Sequence, residues 1–241
     1  WHPASMPFLA QLHDQHLSLN DEASILMEYK HLLAWLTKSF CKEVTLETYP
    51  ITDESFEKVL AKIHKTDCPW ILKPALLNNG NGIRLFRNLA EVKSYYGQSD
   101  RLSGPHVLQA YLQKPHLWQG HKYTMRALVV VTTFGGVWLY PHGYMNISAL
   151  PYDFKMDPNL RKKHLTNVML DGVDTHIQQL STEQHPDFNV LLPQWQSIIR
   201  KVVSAVLSVH PNYLHPKAVP AFEIFGFDFI VDEHKRAWLL E

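Results

Sequence analysis

"FEIFGFDFIVDEHKRAWLLE" spans residues 222–241, and its reading decides the fold. Two apolar strands flank a charged turn, yet Asp228 interrupts one strand and Glu241 ends the other. With His234 and Lys235 as a two-residue loop, Asp232 pairs with Ala237 and Asp228 falls opposite Glu241. Like charges so placed destabilise an antiparallel pair by roughly 0.2–1 kcal/mol, and by more once desolvated. A proton, a basic side chain or a bound cation would relieve the repulsion. Magnesium commonly combines one or two carboxylates with substrate phosphates, so the pair is a candidate metal site that holds a nucleotide. Alternatively, the register slips by one residue, Asp228 lies on an exposed face and Glu241 merely ends a strand.

The bulk composition suits a globular chain with a sizeable core. It has 241 residues, of which 46% are hydrophobic and 19% charged. Lys+Arg 23 balances Asp+Glu 23, which removes any charge argument for nucleic acid or an anionic membrane as partner. Fifteen histidines are scattered without metal-ligand spacing, and Cys41 and Cys68 form neither a disulfide framework nor a zinc pattern. No apolar run approaches the roughly 18–20 residues that cross a bilayer; the longest, "ALVVV" (127–131), reads as a strand. A reducing, cytosol-like compartment is the default expectation. The chain opens on Trp1 and stops inside an apolar strand, so it is expected to be a piece of a longer protein.

Local periodicity places the elements. "ASILMEYKHLLAWLTKSF" (23–40) spaces its apolar residues as one amphipathic helix. "DESFEKVLAKIHK" (53–65) is a second helix with Thr52 as N-cap. "PWILKPAL" and "IRLFRN" are strands around an "NNGNG" loop, and "LAEVKSYYGQ" is a helix ended by Gly97. "HVLQAYLQKP" (106–115) is a strand, and residues 121–148 are a hairpin turning at Gly135-Gly136. A helix over 192–210 precedes the final hairpin. Hairpins outnumber βαβ alternation, which predicts an α+β fold with largely antiparallel sheets.

Three further segments could carry chemistry. In "WILKPALLNNGNGI" (70–83), Lys73 ends a strand ahead of a Gly80-Asn81-Gly82 turn, which reads either as a phosphate-covering flap or as an ordinary hairpin turn. It is neither a Walker loop nor a dinucleotide fingerprint. In "GHKYTMRALVVV" (120–131), Lys122, Thr124 and Arg126 share one strand face, which suits an anion if that face is interior and is merely solvated otherwise. "HLTN" (164–167) offers an imidazole, a hydroxyl and an amide in a loop.

The order of these segments resembles the tubulin–tyrosine ligase-like family of the ATP-grasp superfamily. The match is carried by "WILKP" (70–74), "GNGI" (80–83), "QAYL" (109–112), residues 120–126, "HLTN" (164–167) and 222–241, and covers roughly residues 67–241. The resemblance implies an ATP-grasp fold in which two α+β sub-domains grip a nucleotide. Residues 1–66 would be an N-terminal segment or remnant, 67–108 the central sub-domain with the flap, and 109–241 the C-terminal sub-domain, truncated at its end.

It also implies a site. Lys73 would contact ATP phosphates beneath a flap of Gly80, Gly82 and Ile83. Gln109, Tyr111 and Leu112 would line the adenine slot, and Lys122 would reach the nucleotide. Arg126 would serve the phosphate or the acceptor carboxylate, His164 and Asn167 would orient ribose, phosphate or metal, and Asp228 and Glu241 would hold Mg2+. The implied activity is ATP- and Mg-dependent carboxylate–amine ligation, joining an amino acid to a peptide or protein through an acyl phosphate. Three charges of the family pattern are neutral in this chain: Thr124 stands for an aspartate, Asn79 and Asn81 stand where the flap carries a cation, and Asn146 stands for an arginine. These losses point to the second expectation, a catalytically impaired nucleotide-binding or protein-interaction module.

Overall fold

The computed structural model describes residue 19 and residues 21–133, 136–153, 161–170, 173–215 and 221–241. Two antiparallel sheets organise them. The smaller has the order β1-β4-β2-β3, from β1 (Thr48–Ile51), β2 (Trp70–Pro74), β3 (Arg84–Phe86) and β4 (His106–Ala110). Trp70, Leu72 and Leu108 are buried from this sheet against α3 (Phe56–Leu60) and α4 (Leu89–Tyr96). Asn88 caps α4, its Oδ1 accepting from the Glu91 N–H at 2.9 Å, and the helix ends at Gly97 as its sequence implies.

The larger sheet draws on β5 (Leu117–Trp118), β6 (His121–Thr132), β7 (Gly136–Leu139), β8 (Tyr144–Ile147), β11 (Gln178–Ser181), β12 (Phe222–Val231) and β13 (Ala237–Leu239). Its order is β11-β8-β6-β12-β13, with β5 and β7 also paired to β6. β9 (Met169–Leu170) and β10 (Val173–Asp174) form a separate two-stranded pair. The alternation expected of β6 is present: Tyr123, Met125, Ala127, Val129 and Val131 are buried in the main core, and the even-numbered positions face the other way. Covering that core are α1 (Asp21–Glu28), α2 (Lys30–Phe40) and α6 (Phe188–Val209). Trp195 of α6 stacks on Phe229 of β12 at 5.1 Å and 7°. The α+β antiparallel architecture read from the sequence is therefore the observed one.

Four local expectations are corrected. The helix expected over 23–40 is two helices, because Tyr29 adopts extended backbone (φ −89°, ψ 120°) and starts α2 anew. One apolar stripe thus serves two helix axes, which periodicity does not distinguish. The helix expected over 53–65 contracts to α3, with Ser55 rather than Thr52 at its cap position. The strand expected over 106–115 ends at Ala110, and the second strand of the long hairpin divides into β7 and β8. Of the turn assigned to Gly135-Gly136, Gly135 lies outside the described residues.

The terminal hairpin also slips by one. β12 and β13 pair Phe229 with Leu239 and Val231 with Ala237, which sets Asp228 opposite Leu240. The loop has three residues rather than two, with Lys235 at φ 62° and its N–H bonded to the Asp232 carbonyl. Beyond the regular ladder, the Leu240 N–H donates to the Asp228 carbonyl and the Asp228 N–H to the Glu241 carbonyl, both at 2.7 Å. Two residues oppose one, the signature of a β-bulge, and Glu241 is thereby returned to the side of Asp228. Among the described residues, no helix is long and apolar enough to cross a membrane, and both cysteines are free thiols.

Candidate functional site

A cleft of about 260 Å³ separates the two sheets. The small sheet contributes Ile71, Lys73 and Gln109, followed by Tyr111 and Leu112 where the chain crosses to the large sheet. The cleft-facing side of the large sheet contributes Lys122, Thr124, Arg126, Asn146 and Asp228. Ile83, His164, Asn167 and Glu241 complete the wall. Of the residues singled out in the sequence for the nucleotide, metal and acceptor roles, all but Gly80 and Gly82 line this one space, and of the neutral flap positions Asn79 lines it and Asn81 does not.

The glycines set the loop that closes it. Asn79, Gly80 and Gly82 have φ of 57°, 71° and 68°, the left-handed region that glycine enters without strain. A Cβ on Gly82 would stand 2.9 Å from Cγ of Pro74, so the loop is folded back against β2. Arg161, from α5 (Arg161–His164), donates to the Gly80 carbonyl at 3.1 Å.

Burial controls the two lysines. Lys73 and Lys122 are both buried. Burial lowers the pKa of Lys122 to about 7, with Lys73 adding to the effect. Its Nζ donates to the Tyr111 hydroxyl at 2.9 Å and sits over that ring, and the same hydroxyl is 2.9 Å from Nδ1 of His164. Lys73 is likewise pushed down by burial and by Lys30, against the pull of Glu241 and Asp228. Among the described residues neither ammonium group has a carboxylate in contact, which is costly, and a polyanion in the cleft would relieve both.

The carboxylates meet internal cations. Arg126 Nε and Nη2 hold Oδ1 and Oδ2 of Asp228 at 2.6 and 2.5 Å. Burial nevertheless raises the Asp228 carboxyl, with the Arg126 fork opposing the shift. Glu241 pairs with Lys30 at 3.1 Å, and Lys73 and Lys30 hold its carboxyl below the usual range despite the opposing effect of burial. Lys30 also donates to the Leu77 carbonyl at 3.0 Å and to Asn78 Oδ1 at 3.4 Å. This lysine lies in the part of the chain from which sequence reading drew no chemistry. A lone lysine on an amphipathic helix carries no local signal, and only the break at Tyr29 and the packing of α2 bring it here.

Asp228 and Glu241, side by side through the bulge, are hard oxygen donors facing the same cleft. That donor set suits a divalent cation completed by phosphate oxygens. Among the described residues, no three His, Cys, Asp or Glu side chains converge on a metal position.

Buried lysines on β2 and β6, a left-handed glycine loop and paired acids on a terminal hairpin now stand around one cleft. The family model described as the tubulin-tyrosine ligase family matches residues 17–241. The chain belongs to the tubulin-tyrosine ligase family. It is 28% identical over 199 residues to tubulin glycylase 3C of Tetrahymena thermophila, covering 73% of this chain and 18% of that protein. It is 28% identical over 217 residues to tubulin polyglutamylase TTLL7 of Homo sapiens, covering 78% of this chain and 23% of that protein. The probable tubulin polyglutamylase ttll-9 of Caenorhabditis elegans is 27% identical over 214 residues, covering 80% and 48% respectively. The chain thus spans less than half the length of these relatives.

Within this family member, two of the neutral positions, Thr124 and Asn146, bond to neutral neighbours. Thr124 Oγ1 lies 2.7 Å from Thr166 Oγ1, and Gln179 Nε2 donates to Asn146 Oδ1 at 2.8 Å. All four residues line the cleft.

Proposed function

We propose that this chain forms the nucleotide-binding core of an ATP- and magnesium-dependent carboxylate–amine ligase that adds an amino acid to a peptide or protein. The observation that carries the reading is the gathering of Lys73, Lys122 and Arg126 with Asp228 and Glu241 around one cleft, with Lys30 paired to Glu241 from behind it. Against two carboxylates stand Lys30, Lys73 and Arg126, joined by Lys122 once a polyanion draws it into the charged form, an excess of positive charge suited to a triphosphate.

ATP would supply the phosphoryl group: a carboxylate oxygen bonds to the γ-phosphorus as ADP leaves, and an amine then displaces phosphate and loses a proton to give the amide. The protein's part is positioning and charge neutralisation. Gln109, Tyr111 and Leu112 line the adenine end, while Lys73 and Lys122 bind phosphates under the Gly80–Gly82 loop and Ile83. His164 and Asn167 orient ribose, phosphate or metal. Arg126 neutralises charge where the acyl phosphate would form, and Asp228 and Glu241 hold magnesium. In this reading residues 67–108 are the central sub-domain, 109–241 the C-terminal one and 1–66 an N-terminal segment, working in a reducing compartment.

Calorimetry tests it. The chain should bind a non-hydrolysable ATP analogue in a magnesium-dependent manner, and Lys73→Ala and Asp228→Ala should each abolish binding. Unchanged binding in both variants would overturn the site assignment. The Thr124–Thr166 and Asn146–Gln179 pairs favour a second reading, nucleotide binding without turnover. Release of ADP on incubation with glycine or glutamate and peptide acceptors would exclude that alternative.

A further inference from the structure

Beyond the Arg126–Asp228 pair, the cleft face of the large sheet continues as an exposed apolar surface. The register makes the rows explicit. Leu128 lies opposite Gly226, Val130 lies between Trp138 and Ile224, and Thr132 lies opposite Phe222. Side chains in one row share one face of the sheet, and positions 122, 124 and 126 occupy that same face nearer the hinge. Tyr140 continues the row of Leu128, to whose carbonyl its N–H donates. Trp138, Ile224 and Tyr140 are 60%, 56% and 54% exposed, and Leu128 and Phe222 are exposed beside them. At roughly 3.3 Å per residue, Val130 stands about 13 Å beyond Arg126, in line with the axis from Lys122.

Two independent observations define the chemistry of this end of the cleft. The first is the apolar ramp itself: the face positions of β6, β7 and β12 past Arg126 are Leu, Val, Thr, Gly, Trp, Phe and Ile, without a charge. The second is the neutral floor leading to it, where Thr124 bonds Thr166 and Asn146 bonds Gln179. An acidic peptide needs Lys or Arg to compensate its desolvation. Among the described residues, neither the floor nor the ramp offers one past Arg126, which is already held by Asp228. Trp and Tyr presented on a rigid sheet instead suit apolar side chains of an extended peptide.

We propose that the acceptor of this site is an uncharged peptide segment with apolar side chains, seated on the Leu128, Val130, Trp138, Tyr140, Phe222 and Ile224 face. The assignment rests on the nucleotide-site reading above and specifies the substrate class beyond it. An acidic tail does not fit this face. Peptide side chains would cover the exposed aromatic rings and present the reacting carboxylate or amine toward Arg126.

Fluorescence titration tests this in the presence of magnesium and a non-hydrolysable ATP analogue. The probes are a short, capped peptide rich in leucine and tryptophan and a glutamate peptide of equal length. The neutral peptide should bind at least about tenfold more tightly, since burying one large apolar side chain is worth about that factor. Trp138→Asp and Ile224→Asp should each weaken it by about tenfold or more, while analogue affinity and thermal midpoint stay those of the parent. The acceptor assignment is overturned if the glutamate peptide binds as tightly, if both variants bind like the parent, or if neither peptide binds. It is also overturned if sedimentation shows a dimer of this chain that the two variants disperse, which would make the face an interface between copies. Failure of the parent to bind the analogue overturns the nucleotide-site reading, and this inference with it. Analogue binding without peptide binding overturns the acceptor assignment alone.

Discussion

Arg126 and Asp228 face each other across β6 and β12 and close a two-pronged ion pair with contacts of 2.5 and 2.6 Å. The pair is asymmetric in its access to water: the Arg126 side chain is 38% exposed and that of Asp228 is 16% exposed. Removing Arg126 therefore strands a carboxylate in a half-dry site, whereas removing Asp228 leaves a guanidinium that reaches solvent. Arg126→Ala should cost on the order of 2 kcal/mol, below the range for a fully buried pair because of that exposure. Asp228→Ala should cost less. Urea denaturation of both variants decides the order, and a larger loss for Asp228→Ala would contradict the asymmetry.

Two glycines make room for that arginine, and they differ in what they meet. A Cβ on Gly226 would stand 3.2 Å from Cδ and 3.3 Å from Nε of Arg126, the flexible part of a side chain. A Cβ on Gly143 would stand 2.1 Å from the Arg126 carbonyl oxygen, which is backbone in the middle of a sheet. Gly226→Ala should cost about 1 kcal/mol and displace the fork, while Gly143→Ala should cost more than the usual overpacking range of roughly 1–3 kcal/mol. Equal thermal midpoints for the two variants would refute the distinction.

Lys122 has its pKa lowered to about 7 by burial and by Lys73. A bound polyanion would favour the charged form and raise that value. Nucleotide binding at about pH 8 should therefore take up protons, and the uptake should shrink as pH falls below 7, where Lys122 is already charged. Calorimetry in buffers of different ionisation enthalpy measures this directly. A binding enthalpy that is the same in every buffer would exclude Lys122 as a titrating phosphate ligand.

Much of the site was legible because it lies on periodic elements. The two-residue repeat of β6 put Lys122, Thr124 and Arg126 on one face, and the structure has them there. The hairpin acids stand out in the sequence because a carboxylate inside an apolar strand needs a partner, although the structure sets the register one residue from the expected one. The loop has three residues instead of two, and the bulge at Leu240 and Glu241 then restores the proximity that the wrong register had supplied. Neither a positive φ at a lysine nor a bulge has a strong sequence signal. Of the three reliefs open to Asp228, a proton, a basic side chain or a cation, the structure supplies the basic side chain, Arg126. The Lys30 contact, made through packing across more than two hundred residues, was invisible locally.

Lys30 ties three segments together: α2, the loop at Leu77 and Asn78, and Glu241. The Glu241 side chain is 30% exposed, so the ion pair itself should contribute no more than about 1 kcal/mol. Its larger effect should be on order. Lys30→Ala should weaken binding of the ATP analogue about tenfold through a freed flap and a reoriented Glu241, with a stability loss of only about 1 kcal/mol. Lys30→Met, which keeps the apolar stem, separates packing from charge. Binding by both variants equal to the parent's would remove Lys30 from the site.

Behind the cleft, on the core face of β6, a histidine network makes stability depend on pH. The Asp187 N–H donates to Nδ1 of His185 at 3.1 Å, which fixes the neutral ring with its proton on Nε2, 2.9 Å from the Tyr123 hydroxyl. That hydroxyl is then free to donate to Nδ1 of His116, also at 2.9 Å. Asp187 and Lys235, joined at 2.7 Å, and Trp118, whose ring packs on His185, complete the surroundings. Burial, with His116 and Lys235 adding and Asp187 opposing, lowers the pKa of His185 below its ordinary 6.5. Burial lowers that of His106 as well. A base with a depressed folded pKa binds fewer protons folded than unfolded, so the histidines' share of stability is full above about pH 6.5 and is lost as pH falls below it. Thermal midpoints should therefore rise with pH between about pH 5 and 6.5 through His185 and His106, and the depressed Lys122 should carry the rise on above neutrality. His185→Gln, which keeps an acceptor for Asp187 and a donor for Tyr123, should flatten part of that slope and leave the His106 share. A parent midpoint that falls with rising pH over this range, or a variant with an undiminished slope, would show that the network does not hold His185 neutral.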